Sequence, residues 1–152
     1  MTGPAEDRLR QKALRLLAMR DHSRAELRRK LAGLGTAEEI AAVIERMGEL
    51  GLQSDRRYAE SWVRSKAQRF GMARLKLELG QRGVDRDLID EVLAEADEGS
   101  EFERAHAVWQ AKFGTPANDR REWARQARFL QGRGFSGDVI RKLLREDVDE
   151  SA

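Results

Sequence analysis

Apolar positions along this chain recur at three- and four-residue intervals, the spacing that lines one face of an α-helix. Ile40, Val43, Ile44 and Met47 make one such stripe, and Leu88, Ile89, Val92, Leu93 and Ala96 make another. A broader stripe joins Tyr58, Ala59, Trp62, Val63, Ala67 and Phe70. Glycines stand between the stripes, at Gly35, Gly51, Gly71, Gly83, Gly99, Gly114 and Gly134, each where a helix can end through a left-handed residue. Helix-start signals follow. Ser23 with Glu26, Thr36 with Glu39 and Ser100 with Glu103 have the spacing of the capping box, in which side chain and backbone satisfy one another. Asp55, Asp85, Asp119 and Ser136 suit simpler N-caps. The pattern predicts helices over 7–19, 23–34, 36–50, 55–70, 72–82, 85–97, 100–113, 119–133 and 136–147.

Three stretches of this pattern lie over one another. LAGLGTAEEIAAVI starts at Leu31, LGQRGVDRDLIDEVL at Leu79 and LQGRGFSGDVIRKLL at Leu130. Each has a glycine four positions on (Gly35, Gly83, Gly134), then an isoleucine (Ile40, Ile89, Ile140) with an aliphatic four residues later (Ile44, Leu93, Leu144). The copies are 48 and 51 residues apart, a period typical of helical arrays. A unit of about 45 residues is close to the smallest that holds a core alone, so stacking on a neighbour would bury what each leaves open. The predicted fold is all-α, with three tandem three-helix repeats in an elongated, curved array. The repeats occupy 8–50, 51–98 and 99–147, after a flexible N-terminus 1–7 and before an acidic tail 148–152.

Composition agrees with helix and narrows the chemistry. Of 152 residues 40% are apolar and 37% charged, with two prolines and few strand-favouring side chains. The absence of cysteine excludes a disulfide framework, thiolate catalysis and thiolate metal sites. The segment MTGPAEDRLRQ has no apolar core of a signal peptide, and no run approaches the roughly 18 apolar residues of a membrane span. A cytoplasmic, monomeric protein with no membrane partner is the expectation. Catalytic inventory is thin. His22 and His106 each lack a spaced second ligand and are expected at the surface, so no metal is predicted. No phosphate-cradling glycine loop with a following lysine occurs, and no cofactor is implied. The acidic residues lie on exposed-looking helices, without apolar surroundings that would tune an acid–base pair. Trp62 and Trp109 fall in apolar stripes and are read as core rather than as base-stacking platforms.

Charge changes the picture more than its total suggests. The net charge is +2, yet residues 8–30 carry nine basic and two acidic groups, residues 56–82 eight and two, and residues 104–145 ten and three. Between them, residues 31–55 carry one basic and five acidic groups, and residues 84–103 one and nine. A basic block therefore returns once per repeat, which suits a polyanion with its own repeat, such as a nucleic-acid backbone. Ordinary solvated faces pairing internally are the competing explanation. The excess of Arg over Lys, 23 to six, fits phosphate recognition and equally fits a GC-rich genome.

From Gly51 to Val84 the chain reads Gly51-Leu52, Asp55, Arg57-Tyr58-Ala59-Glu60, Trp62-Val63-Arg64-Ser65, Gly71, Arg74-Leu75-Lys76, Glu78-Leu79 and Arg82-Gly83-Val84. This order resembles the central region of the RecX family of regulatory proteins. Ser23-Arg24-Ala25-Glu26-Leu27 with Lys30-Leu31 is similar to the family's opening motif. Ser54 stands where the family pattern has the first of two acids. The resemblance covers about residues 10–145 and implies a non-enzymatic modulator of the RecA recombinase in DNA repair, recombination and the SOS response. It would bind in the groove of the RecA filament, near its single-stranded DNA, and restrain ATPase, strand-exchange and co-protease activities.

The candidate contact residues for RecA or DNA are Arg24, Arg28 and Arg29 in the first repeat, and Arg64, Lys66, Arg69, Arg74 and Lys76 in the second. Arg74 and Lys76 are two apart and do not share a helix face, so at least one is expected to serve the fold through an internal pair. Two rivals stand beside this reading. One is an autonomous helical DNA-binding protein, since three-helix units resemble helix-turn-helix modules. The other is an adaptor whose acidic helices dock an unrelated protein.

Overall fold

The computed structural model describes residues 3–96 and 101–150, with side chains to residue 145. Among them run nine α-helices and no strand: α1 Pro4–Met19, α2 Arg24–Leu31, α3 Ala37–Glu49, α4 Asp55–Lys66, α5 Met72–Gln81, α6 Arg86–Ala96, α7 Glu101–Lys112, α8 Arg120–Gly132 and α9 Gly137–Glu150. The predicted helices are all present, and their ends differ for local reasons. Helix α1 starts three residues earlier than the periodicity suggests. Pro4 sits at a position whose N–H has no intrahelical use, and Glu6 and Asp7 meet the positive end of the helix dipole. Helix α2 stops at Leu31 because Gly33, not Gly35, takes the left-handed conformation, at φ +85°. Gly71 also lacks a positive φ, and its role is a close approach described below. Gly99 and Ser100 lie outside the described residues.

Capping follows the sequence signals with one exchange. Ser23–Glu26 and Thr36–Glu39 both form complete capping boxes. Asp119 accepts from the Glu122 N–H at 2.8 Å, and Ser136 from the Val139 N–H at 3.2 Å. At α4 the cap is Ser54, whose hydroxyl accepts from the Arg57 N–H at 3.1 Å. Asp55 is therefore the first helical residue, and its carboxylate is free for the tertiary contact described below.

The repeated positions are buried alike. Leu31, Leu79 and Leu130 are fully buried, and their partners Ile40, Ile89 and Ile140 and then Ile44, Leu93 and Leu144 are buried too. Four residues before each leading leucine, the buried side chains are Leu27, Leu75 and Gln126. The chain divides into two compact units, one running to Ser61 with Leu79–Ile89, the other Trp62–Glu78 with Asp90 onward. In the first unit Leu9 and Ala13 of α1, Leu27 and Leu31 of α2, and Ile40, Val43, Ile44 and Met47 of α3 form one core. In the second, Ala105 and Trp109 of α7, Leu130 of α8, and Phe135, Ile140, Leu143 and Leu144 around α9 form another. Removing one such buried leucine costs about 2–5 kcal/mol, so each core is a large share of its unit's stability.

Candidate nucleic-acid and partner interface

Each unit holds a junction where one repeat meets the next, and the two are built on the same plan. In the first unit the Ser23 hydroxyl donates to the Arg82 carbonyl at 2.8 Å, while the Arg24 N–H donates to Asp55 Oδ1 at 2.7 Å. In the second unit the Gly71 N–H donates to the Arg133 carbonyl at 2.8 Å, and the Met72 N–H to Glu101 Oε1 at 3.1 Å. Arg82 and Arg133 each precede a left-handed glycine, Gly83 at φ +83° and Gly134 at φ +92°. Those glycines permit very close packing. A Cβ on Gly83 would lie 2.3 Å from the Ala25 Cβ, and one on Gly134 would lie 2.3 Å from the Arg74 Cβ. A Cβ on Gly71 would meet the Gly134 carbonyl oxygen at 2.3 Å, which is why glycine is needed there without a positive φ.

The chemistry of the two junctions diverges at one position. In the first, the third residue of α2 is Glu26, buried to 2% exposure. Its carboxylate takes the Arg20 guanidinium at 2.9 Å and the Ser23 N–H at 3.2 Å. Burial works against its charge, but hydrogen bonds from Arg20, the Ser23 backbone and Tyr58 prevail and hold the carboxyl at about 2. Tyr58, buried beside that carboxylate, has its phenol pushed up to about 12. His22 is buried as well, contrary to its expected place at the surface. Its Nδ1 lies 3.0 Å from the Arg20 carbonyl and its Nε2 3.2 Å from Lys30 Nζ. A neutral ring donating from Nδ1 and accepting at Nε2 satisfies both contacts, and burial lowers its pKa accordingly. Arg57 pairs with Asp21 at 3.1 Å and donates to the Gly51 and Leu52 carbonyls. Among the described residues Glu26 is thus the one buried acid, and its environment keeps it ionised rather than poised for proton transfer.

In the second unit the equivalent of Glu26 is Arg74. Its guanidinium lies 3.9 Å from the Phe70 ring centroid, pairs with Glu78 at 3.0 Å and donates to the Gly132 carbonyl at 3.3 Å. The same ring draws Arg133 to 5.4 Å, Arg69 to 5.7 Å and Lys66 to 5.9 Å. Lys66 also sits 4.5 Å from the Trp62 ring. Among the described residues Lys66, Arg69 and Arg133 have no acidic partner. The rings hold these cations in place without neutralising them.

The predicted contact residues therefore separate. Lys66, Arg69 and Arg74 come together around Phe70. Lys76 lies apart, paired with Asp90 at 2.9 Å, so both it and Arg74 make the internal pairs that their spacing foreshadowed. Arg64 is exposed on α4 outside the ring cluster. Arg24, Arg28 and Arg29 are exposed on α2, where Arg24 and Arg28 share one face at i, i+4. Phe70 and Arg133 were not selected from the sequence. The repeated Arg-Gly pair, Arg82-Gly83 and Arg133-Gly134, is the signal that could have found Arg133. Trp109 is core, its indole N–H donating to Gln126 Oε1 at 2.9 Å, whereas Trp62 is only half-buried. Among the described residues no group of His, Asp or Glu is arranged to hold a metal, and no helix is long and apolar enough to cross a membrane.

Three tandem three-helix domains joined by repeated glycine contacts, with cations displayed on aromatic rings, define an all-helical repeat protein. Family models agree in order: those described as the first, second and third three-helix domains of RecX match residues 10–47, 54–93 and 100–144. The chain belongs to the RecX family of regulatory proteins. Among its relatives, the regulatory protein RecX of Leptothrix cholodnii is 47% identical over 138 residues, covering 90% of this chain and 87% of that one. The regulatory protein RecX of Ectopseudomonas mendocina is 45% identical over 141 residues, covering 90% and 93%. The crystal structure of RecX from Lactobacillus salivarius matches the fold with a TM-score of 0.82 at 24% identity, over 93% of this chain and 96% of that one.

Proposed function

We propose that this chain is a non-enzymatic regulator that binds RecA filaments in the cytoplasm and restrains their ATPase, strand-exchange and co-protease activities. Membership in a family of regulatory proteins named RecX carries the reading. The un-neutralised cations around Phe70, with Arg24, Arg28 and Arg29 on α2, supply surfaces for the DNA and protein of such a filament. The mechanism is steric and electrostatic: a repeat protein seated along a filament blocks its extension. The test adds the protein to RecA, circular single-stranded DNA and ATP, and follows hydrolysis. A falling rate, with RecA retained on the tagged protein, supports the reading. An unchanged rate without retention of RecA sinks it.

The Phe70 cluster also favours a second reading, an autonomous DNA-binding protein. That reading expects tight binding to DNA without RecA, weakening steeply as salt rises. An effect that requires RecA, with weak DNA binding alone, rejects it.

A further inference from the structure

The second unit contains an open cleft of about 370 Å³ beside the Phe70 cluster, lined by Arg69, Val108, Ala111, Lys112, Phe129 and Arg133 among others. Its floor is apolar, from Val108, Ala111 and the Phe129 ring. Its rim is cationic. Lys112 Nζ lies 5.4 Å and the Arg133 guanidinium 5.1 Å from the Phe129 centroid. Arg133 is thus shared between the Phe129 and Phe70 rings, and its side chain is steadied by the Arg69 carbonyl at 3.5 Å. Among the described residues Arg69, Lys112 and Arg133 have no carboxylate partner. Phe113 packs edge-on against Phe129 at 5.4 Å and fixes the floor ring.

We infer that this cleft is a binding site for a nucleotide unit of single-stranded DNA, with the base on the Phe129 floor and the flanking phosphates on Arg69, Lys112 and Arg133. The inference rests on the reading that the protein works on RecA–DNA filaments. A volume of this size falls within the range of small-ligand sites, about 300–1,000 Å³. An apolar plane flanked by fixed cations complements a ligand that alternates a flat base with a monoanionic phosphate. An acidic peptide would satisfy the rim and leave the floor uncovered. Duplex DNA would offer phosphates to the rim, but its paired bases could not reach the floor, so single strands are preferred.

The experiment measures fluorescence anisotropy of a labelled thymidine 20-mer, and of a duplex of equal length, titrated with the full-length protein in the absence of RecA. Lys112→Glu, Arg69→Glu and Phe129→Leu are compared with Arg46→Glu, which lies on α3 in the first unit. Circular dichroism confirms that each variant is folded. The two charge reversals remove rim contacts on exposed side chains, so each should weaken single-strand binding about tenfold and lower the salt slope by about one. Phe129→Leu should weaken single-strand binding about tenfold and leave duplex binding within twofold. Arg46→Glu should leave both within twofold. Single-strand affinities within twofold of the parent in the three cleft variants overturn the inference, as does displacement of the thymidine oligomer by polyglutamate at equal charge concentration. RecA inhibition by the same variants separates the two ideas. Normal thymidine binding by the cleft variants, with RecA still inhibited by the parent protein, removes the cleft alone. Loss of thymidine binding in the variants, with no effect of the parent on RecA, removes the filament reading and keeps the cleft.

Discussion

The two junctions share a backbone and differ in what they do with charge. Both use a left-handed glycine after an arginine, an N–H or hydroxyl donated to that arginine's carbonyl, and a carboxylate from the next repeat on the first N–H of the middle helix. At the first, Glu26 absorbs Arg20, Asp21 absorbs Arg57, and a neutral His22 accepts from Lys30. At the second, Arg74 stands in place of Glu26, and the surrounding cations rest on Phe70 and Phe129. A conserved geometry is thus compatible with two outcomes: one junction closed on itself, and one that leaves positive charge available. The difference follows from desolvation. Buried charges must be paired, whereas half-exposed cations on an aromatic face keep enough water to remain unpaired.

If the shared backbone geometry holds each junction, adding a single methyl should break either one. Gly83→Ala and Gly134→Ala each combine a strained positive φ with a Cβ clash at 2.3 Å, so each should lose at least about 3 kcal/mol in urea denaturation. Next comes the charge contrast. Glu26→Gln weakens the charge-assisted hydrogen bonds that the buried carboxylate takes from half-exposed Arg20 and the Ser23 N–H and should cost about 1.5–3 kcal/mol, whereas Arg74→Gln, at a partly exposed pair, should cost under about 1 kcal/mol.

The same contrast predicts an acid response. Below pH 6.5 the unfolded chain protonates His22 while burial makes the folded chain resist, so stability falls. Below 4.5 the unfolded chain protonates Glu26 as well, which the folded chain does only near 2, and stability falls again. Denaturation midpoints measured from pH 8 to pH 3 should show both declines, with the lower one reduced in Glu26→Gln.

A smaller change probes the third repeat, where Gln126 replaces the buried leucine of the other two. Gln126→Leu restores the apolar pattern but removes the acceptor of Trp109 and the donor to the Thr115 carbonyl. It should lose about 1–2 kcal/mol and alter Trp109 fluorescence. The smallest effect is a gain. Gly80, on α5, has open space around its Cα, so Gly80→Ala should stabilise the protein by about 1 kcal/mol in the same assay.

Much of the fold was legible because helix information is local. The stripe Ile40–Val43–Ile44–Met47 is buried as its spacing predicts, and the capping boxes at Ser23 and Thr36 form as their residues predict. Gly33 was missed in favour of Gly35 because two glycines two apart offer the same turn, and packing against Leu9 selects between them. His22 was assigned to the surface because a turn next to a basic helix looks exposed. Burial there depends on Gln53, Lys30 and the Arg20 carbonyl, contacts that no local pattern announces.

The candidate site was legible in part for the same reason. Lys66, Arg69 and Arg74 stand in one basic block, and the structure gathers them around one ring. Arg133 joins that ring from about sixty residues away, and Lys112 lies on the Phe129 ring that Arg133 shares, which composition cannot foresee. By itself the sequence determined the helices, the repeat, the absence of thiol chemistry and the family, since these rest on spacing and residue type. Only the tertiary structure decided which cations are neutralised and which are merely steadied. Pairing depends on which carboxylate or ring a long side chain can reach, and that distance is set by how the helices pack.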